Sequence, residues 1–190
     1  MDERKQHIVM AAAEVFTRYG FKKASMQDIA EAAMMSRAAV YLHFRNKDDL
    51  FRSLMQWHHG EALKAAETAF ASDKLFLVRL EAALMDFTMV LFGPVKASTH
   101  GQELFEANMA LAGDTTAATS ERLRGLMENA LREAVSRGEI SLSAAELSAA
   151  TLADLLYVCL DGIKKAPNGL DRLNERLSAL IRLIGAATRV

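Results

Sequence analysis

Three helix-start signals crowd into residues 25–46 of this 190-residue chain, and they dictate what its first fifty residues can become. Ser25-Met26-Gln27-Asp28 is a pattern in which a hydroxyl and a carboxylate each satisfy an orphan backbone N–H. Ser36 stands before Arg37, and Asn46 before Lys47-Asp48-Asp49, so two further caps follow. Helices punctuated this closely must be short. Upstream, residues 3–19 place Ile8, Ala12, Val15, Phe16 and Tyr19 on one face, with Gly20 where a C-cap is wanted. The spacing predicts helices over residues 3–19, 25–33 and 37–43, and a long one from 46 to about 71.

Only two prolines and ten glycines interrupt a chain rich in alanine and leucine, so the remainder also reads as helix. Residues 75–92 are apolar on most of their circumference and should be stopped by Gly93-Pro94. Further helices are expected over 102–112 and 116–137, the second closed by Gly138. Ser143 should cap another reaching residue 165, and Pro167-Asn168-Gly169 should break the chain before a last helix ending near 187. The fold class is all-α, with about nine helices and no strand. Residues 1–46 form a small amino-terminal domain, and residues 47–190 a larger helical one.

No uncharged apolar run is long enough to span a bilayer, and the charged start Met1-Asp2-Glu3-Arg4-Lys5 is not a signal segment. The single Cys159 has no internal partner, so a cytoplasmic protein is expected. The signatures of nucleotide-binding, phosphate-loop, zinc-protease and serine-hydrolase enzymes are absent, and no enzymatic activity, cofactor or metal is expected. His58-His59 with Glu61 is no metal site, because adjacent helical side chains diverge by about 100°. Net charge is −1, but residues 1–52 carry nine Lys/Arg against seven Asp/Glu, a net of +2. That asymmetry has the sign needed to meet phosphate.

Two short helices joined by a turn of about four residues fit a helix-turn-helix. Ile29, Ala30 and Ala33 supply the inner face of its first helix, and Val40 and Phe44 that of its second. Arg37 offers a fork suited to guanine or phosphate, while Ala38 and Ala39 permit close approach. The run Ile8-Val9, Ala11-Ala12, Phe16, Gly20-Phe21, Ser25-Met26, Ile29-Ala30, Ala33, Ser36-Arg37, Val40-Tyr41, His43-Phe44, Lys47 and Leu50 resembles the TetR family of bacterial regulators. The resemblance covers about 45 residues. It implies that Arg37, Ala38 and Ala39 face base edges, and that Ser25, Ser36, Tyr41, His43 and Lys47 bind phosphate. Tyr41 also reads as a plain core aromatic, and Lys22 and Lys23 as a solvated loop. The sequence departs from the family at Met34 and Ala38, where glycine is common; a positive φ at Met34 costs about 1 kcal/mol.

A helix-turn-helix reader generally binds as a symmetric homodimer. The stripe Leu170, Leu173, Leu177, Leu180 and Ile184 suits a seam between subunits, with Leu152, Leu156 and Leu160 on the companion helix. Packing inside one subunit is the alternative. The middle helices should enclose a pocket for a small hydrophobic ligand. Met85, Met89, Met109 and Met127 suit an adaptable lining, although any one of them could be core filling. The stranded polar residues Thr88, Asn108 and Tyr157 and the aromatics Trp57, Phe87 and Phe105 complete the expected lining. The function expected is a ligand-responsive regulator, most simply a repressor on palindromic double-stranded DNA. A helical carrier or scaffold with a vestigial reader is the alternative.

Overall fold

The structure is a computed structural model that describes residues 1–166 and 168–190. Among the described residues it contains α1 (Glu3–Tyr19), α2 (Met26–Ala32), α3 (Arg37–Tyr41), α4 (Lys47–Phe70), α5 (Phe76–Ala97), α6 (Gly101–Ser136), α7 (Ala149–Lys165) and α8 (Leu173–Ala187), and no strand. They form two compact units, Met1–Gly60 with Leu91–Ala117, and Glu61–Val90 with Ala118–Val190. The units part at Gly60 and not at residue 46, because Leu50, Phe51 and Leu54 of α4 belong to the core that α1 to α3 build.

In the first unit, Ile8, Val9, Ala12, Val15 and Phe16 of α1 meet Met26, Ile29, Ala30, Val40 and Phe44. Phe16, Phe21 and Phe51 close a trio of rings with centroids 4.9–5.6 Å apart, in the tilted and edge-on geometries that aromatic quadrupoles favour. Leu104 of α6 joins this core. Asp2 caps α1, its carboxylate accepting the Lys5 N–H at 2.8 Å.

The end of α2 is a Schellman motif. Met34 donates its N–H to the Glu31 carbonyl at 3.0 Å, Met35 donates to Ala30 at 2.9 Å, and Met34 has φ 52°. The end of α6 repeats the motif with glycine in the same place: Gly138 donates to Val135, Glu139 to Ala134, and Gly138 has φ 68°. Met34 is 88% exposed, so its side chain contributes almost no packing to set against the strain. Met34→Gly should therefore stabilise the protein by about 1 kcal/mol. Urea unfolding monitored by helical circular dichroism measures the change.

In the second unit Phe76, Leu80, Leu84, Leu123, Met127, Leu131, Leu156, Leu160, Leu173 and Leu177 are almost wholly buried. A buried ion pair accompanies them. Arg79, 2% exposed, donates to the Glu139 carboxylate at 2.9 Å and to the Phe70 carbonyl at 3.2 Å. The second carboxylate oxygen of Glu139 accepts the Phe76 N–H at 2.6 Å, at the start of α5.

Two expectations about boundaries, the stop at Gly93-Pro94 and the cap at Ser143, need correction. Gly93-Pro94 does not stop α5, which runs to Ala97; proline forfeits one bond, to the Val90 carbonyl, and the helix continues past it. The two helices expected over 102–112 and 116–137 both fall within α6 and meet at a kink at Ala112, whose φ −138° and ψ 26° are not helical. The kink precedes Gly113-Asp114-Thr115-Thr116, a weakly helix-forming stretch, and the Thr116 hydroxyl donates back to the Ala112 carbonyl. Ser143 is not the cap of α7; residues 143–146 form a turn in which Glu146 has φ 51°, and Ser148 caps the helix by accepting from Thr151. The expected break at Pro167 lies outside the described residues, although Asn168 beside it has φ 54°.

Candidate nucleic-acid interface

The helix α3 is short because its ends are fixed locally. The Ser36 hydroxyl accepts the Ala39 N–H at 3.1 Å, while buried Val40 and Phe44 pin the inner face. What remains outside is Arg37, Ala38, Tyr41 and Leu42, all exposed, with Ala39 half-buried. The Arg37 guanidinium lies 5.5 Å from the centre of the Tyr41 ring and 3.4 Å from its hydroxyl. Stacking of this kind reduces the freedom of a long side chain that must form directional bonds to a base edge.

The five residues expected at phosphate divide by whether a donor remains. The Ser36 hydroxyl accepts from the backbone and keeps its own proton for donation. The Tyr41 hydroxyl and the half-buried His43 imidazole lie beside it on the same stretch of chain. Ser25 is different: its hydroxyl donates to the Asp28 carboxylate at 2.7 Å and accepts the Asp28 N–H at 3.2 Å. The same hydroxyl, and then the Ser25 N–H, hold the Asp28 carboxyl below its ordinary pKa. A hydroxyl closed into a capping box beside a carboxylate is poorly placed to receive phosphate.

Lys47 departs furthest from expectation. Its ammonium donates to the carbonyls of Phe21 at 2.6 Å, Ala24 at 2.8 Å and Lys22 at 3.3 Å, and lies 4.6 Å from the centre of the Phe21 ring. An ammonium has three protons, and three carbonyls occupy them. Lys47 is thus a clamp on the α1–α2 loop. Glu103 of α6 holds the same loop, accepting the Lys22 N–H at 2.5 Å. Its carboxylate lies so near Gly20 that a Cβ there would fall 2.7 Å from an oxygen, and Gly20 has φ 79°. The sequence carries no local signal for this contact between residues 81 positions apart.

The ten residues expected to line a ligand pocket separate. Trp57, Phe105, Asn108 and Met109 belong to the first unit, and Met85, Phe87, Thr88, Met89, Met127 and Tyr157 to the second. Phe105 and Met109 lie one turn apart on α6 and are both exposed, while Met127 is fully buried. The polar residues that looked stranded have partners close by. Thr88 donates to the Leu84 carbonyl, Asn108 to the Thr116 hydroxyl, and Tyr157 to the Ser120 hydroxyl at 2.6 Å with Arg124 over its ring. Asn108 alone keeps a buried oxygen without a hydrogen-bond partner. Near Trp57, burial holds the His58 imidazole below its ordinary pKa, a hydrogen bond with the Leu91 backbone partly opposing it.

The leucine stripe expected at a subunit seam packs inside the second unit. Leu160, Leu173 and Leu177 have no accessible surface in the single chain, and Leu152, Leu156 and Ile184 have under a tenth. Leu170 and Leu180 are half-buried. The apolar residues left uncovered on these helices are instead Leu155 (46%), Val158 (58%) and Leu183 (70%), with exposed Cys159 beside them. The surplus of apolar residues around α7 was the available signal.

A capped, short helix pinned by its inner face and offering arginine, alanine and tyrosine outward defines a helix-turn-helix protein. Residues 8–54 match the family model of bacterial regulatory proteins, tetR family. Through this reading head the chain is similar to the tetR family. It is 35% identical over 91 residues to the uncharacterized HTH-type transcriptional regulator YfiR of Bacillus subtilis, over 45% of this chain and 44% of that protein. It is 25% identical over 186 residues to the HTH-type transcriptional regulator TtgR of Pseudomonas putida, over 91% and 86% of the two chains. The first three curated relatives it matches are spanned over only 44%, 37% and 39% of their length. In fold, it resembles SmeT, the repressor of the Stenotrophomonas maltophilia multidrug efflux pump SmeDEF, with a TM-score of 0.68 at 20% identity over 97% of this chain and 89% of that one. Among the described residues no helix is long and apolar enough to cross a membrane.

Proposed function

We propose that the chain is a cytoplasmic, ligand-responsive transcriptional regulator that binds a palindromic DNA operator as a homodimer and represses from it. The observation that carries this reading is the outward face of α3. Arg37, Ala38 and Tyr41 are exposed on a helix that Val40 and Phe44 hold rigidly to the core. Two such helices enter successive major grooves about 34–36 Å apart, which requires two copies of the chain. Leu155, Val158 and Leu183 are the apolar surface available to a second copy. A small hydrophobic ligand releases the operator by binding better to a conformer whose reading heads are spaced differently.

Arg37→Ala should lose discrimination worth about 1–3 kcal/mol at the base it reads while keeping non-specific affinity. Competition between the intergenic duplex beside the gene and a scrambled duplex measures it. Undiminished preference would move base reading away from Arg37. Val158→Asp, an exposed change, should convert a dimer to monomer in light scattering at micromolar concentration. A wild-type monomer, or a variant dimer of unchanged affinity, would place the subunit contact elsewhere.

A further inference from the structure

We infer that Lys5 and Arg45 form a phosphate clamp at the carboxy-terminal end of α3, supplying the cationic contacts to the DNA backbone that Lys47 does not make. The inference rests on the reading that the chain binds DNA, and adds two residues to the interface. Lys5, Tyr41, His43 and Arg45 line one open cleft with Asp49 and Gln56. Tyr41 is the last residue of α3, so the cleft continues the exposed surface of the recognition helix. Arg45 is exposed and Lys5 half-buried, and among the described residues neither side chain is held in a hydrogen-bonded ion pair.

The acids nearby are already engaged. Asp2 accepts the Lys5 N–H at 2.8 Å, and Asp49 accepts the Arg45 N–H at 3.0 Å, fixing the backbone from which each cation projects. Asp2 also lies within electrostatic reach of Lys5 and His43. Lys5 and Arg45 bring two cations to a cleft that Tyr41 and His43 also line. A phosphodiester supplies charge and acceptor oxygens together, and its place beside a base-reading helix is where the duplex backbone runs. Lys47, two residues in sequence from both Arg45 and Asp49, already donates to three carbonyls.

The test is fluorescence anisotropy of the full-length chain on the intergenic duplex, with KCl varied. Lys5→Gln and Arg45→Gln should each flatten the slope of log affinity against log salt by about 0.9 per contact removed, about 1.8 per dimer. Lys64→Gln, an exposed charge change on α4, serves as the control for net charge and should leave the slope alone. Circular dichroism establishes that both variants remain helical. Wild-type slope in both variants, alone and combined, overturns the clamp while leaving DNA binding intact. No salt-dependent binding by the wild type overturns the DNA-binding reading and the clamp with it.

Discussion

Arg79→Met should lower the unfolding free energy by about 3–5 kcal/mol, the cost of leaving a charge without its partner in a poorly solvated site. Arg79 is 2% exposed and Glu139 19%, so water can replace the lost guanidinium only in part. The arginine also holds the Phe70 carbonyl at the end of α4, while Glu139 receives the first N–H of α5. Two helix ends, of α4 and of α5, therefore loosen together. The converse substitution separates the pair from its surroundings. Arg79→Met combined with Glu139→Leu removes both charges and should recover a large part of the loss, since a buried pair contributes little beyond mutual compensation. Urea denaturation of the two single variants and the double variant measures the coupling. A cost under about 1 kcal/mol for Arg79→Met would mean the pair is solvated.

Lys47→Met should cost about 1.5–3 kcal/mol, the range for hydrogen bonds to a charged group. The carbonyls of Phe21, Lys22 and Ala24 would lose a common donor, and the loop that sets α2 against α1 would loosen. Lys47→Arg should rescue little, because a planar fork cannot converge on three carbonyls as an ammonium does. Hydrogen exchange over residues 20–26 reports the loosening directly. Unchanged protection together with a flattened salt slope on DNA would return Lys47 to the phosphate contacts.

These two lysine roles mark the limit of what sequence pattern conveys. Caps are local, and so the starts of α2, α3 and α4 fall within a residue of expectation: Ser25, Ser36 and Asn46 each accept a backbone N–H three residues on. The strain at Met34 is legible for the same reason, since the Schellman turn is decided by six consecutive residues, 30–35. A motif places Lys47 at the start of a helix but leaves open which way four methylenes carry its charge. Here the loop carbonyls compete with phosphate and take all three protons. Ser25 is a similar case, its capping role excluding the phosphate role drawn from resemblance.

Long-range partners leave no periodic trace. Arg79 and Glu139 lie 60 positions apart, and Glu103 lies 81 from Lys22. Each reads in sequence as one more surface charge. The leucine stripe of α8 shows the opposite difficulty: a clear pattern with two outlets. Spacing of three and four places residues on one face without saying whether that face meets its own subunit or another. In this chain the stripe packs inward, and Leu155, Val158 and Leu183 are left exposed. The polar residues of the middle helices are a similar case: Thr88, Asn108 and Tyr157 each donate to a neighbouring group, and Asn108 keeps a buried oxygen without a hydrogen-bond partner.

The most direct test of the regulator reading is a titration of the wild-type chain against the intergenic duplex and its scrambled counterpart at several salt concentrations. Tighter binding to the intergenic duplex by at least about 10³, with affinity falling steeply as salt rises, is the predicted result. Equal affinity for both duplexes, or binding insensitive to salt, would contradict a reading head built on the outer face of α3.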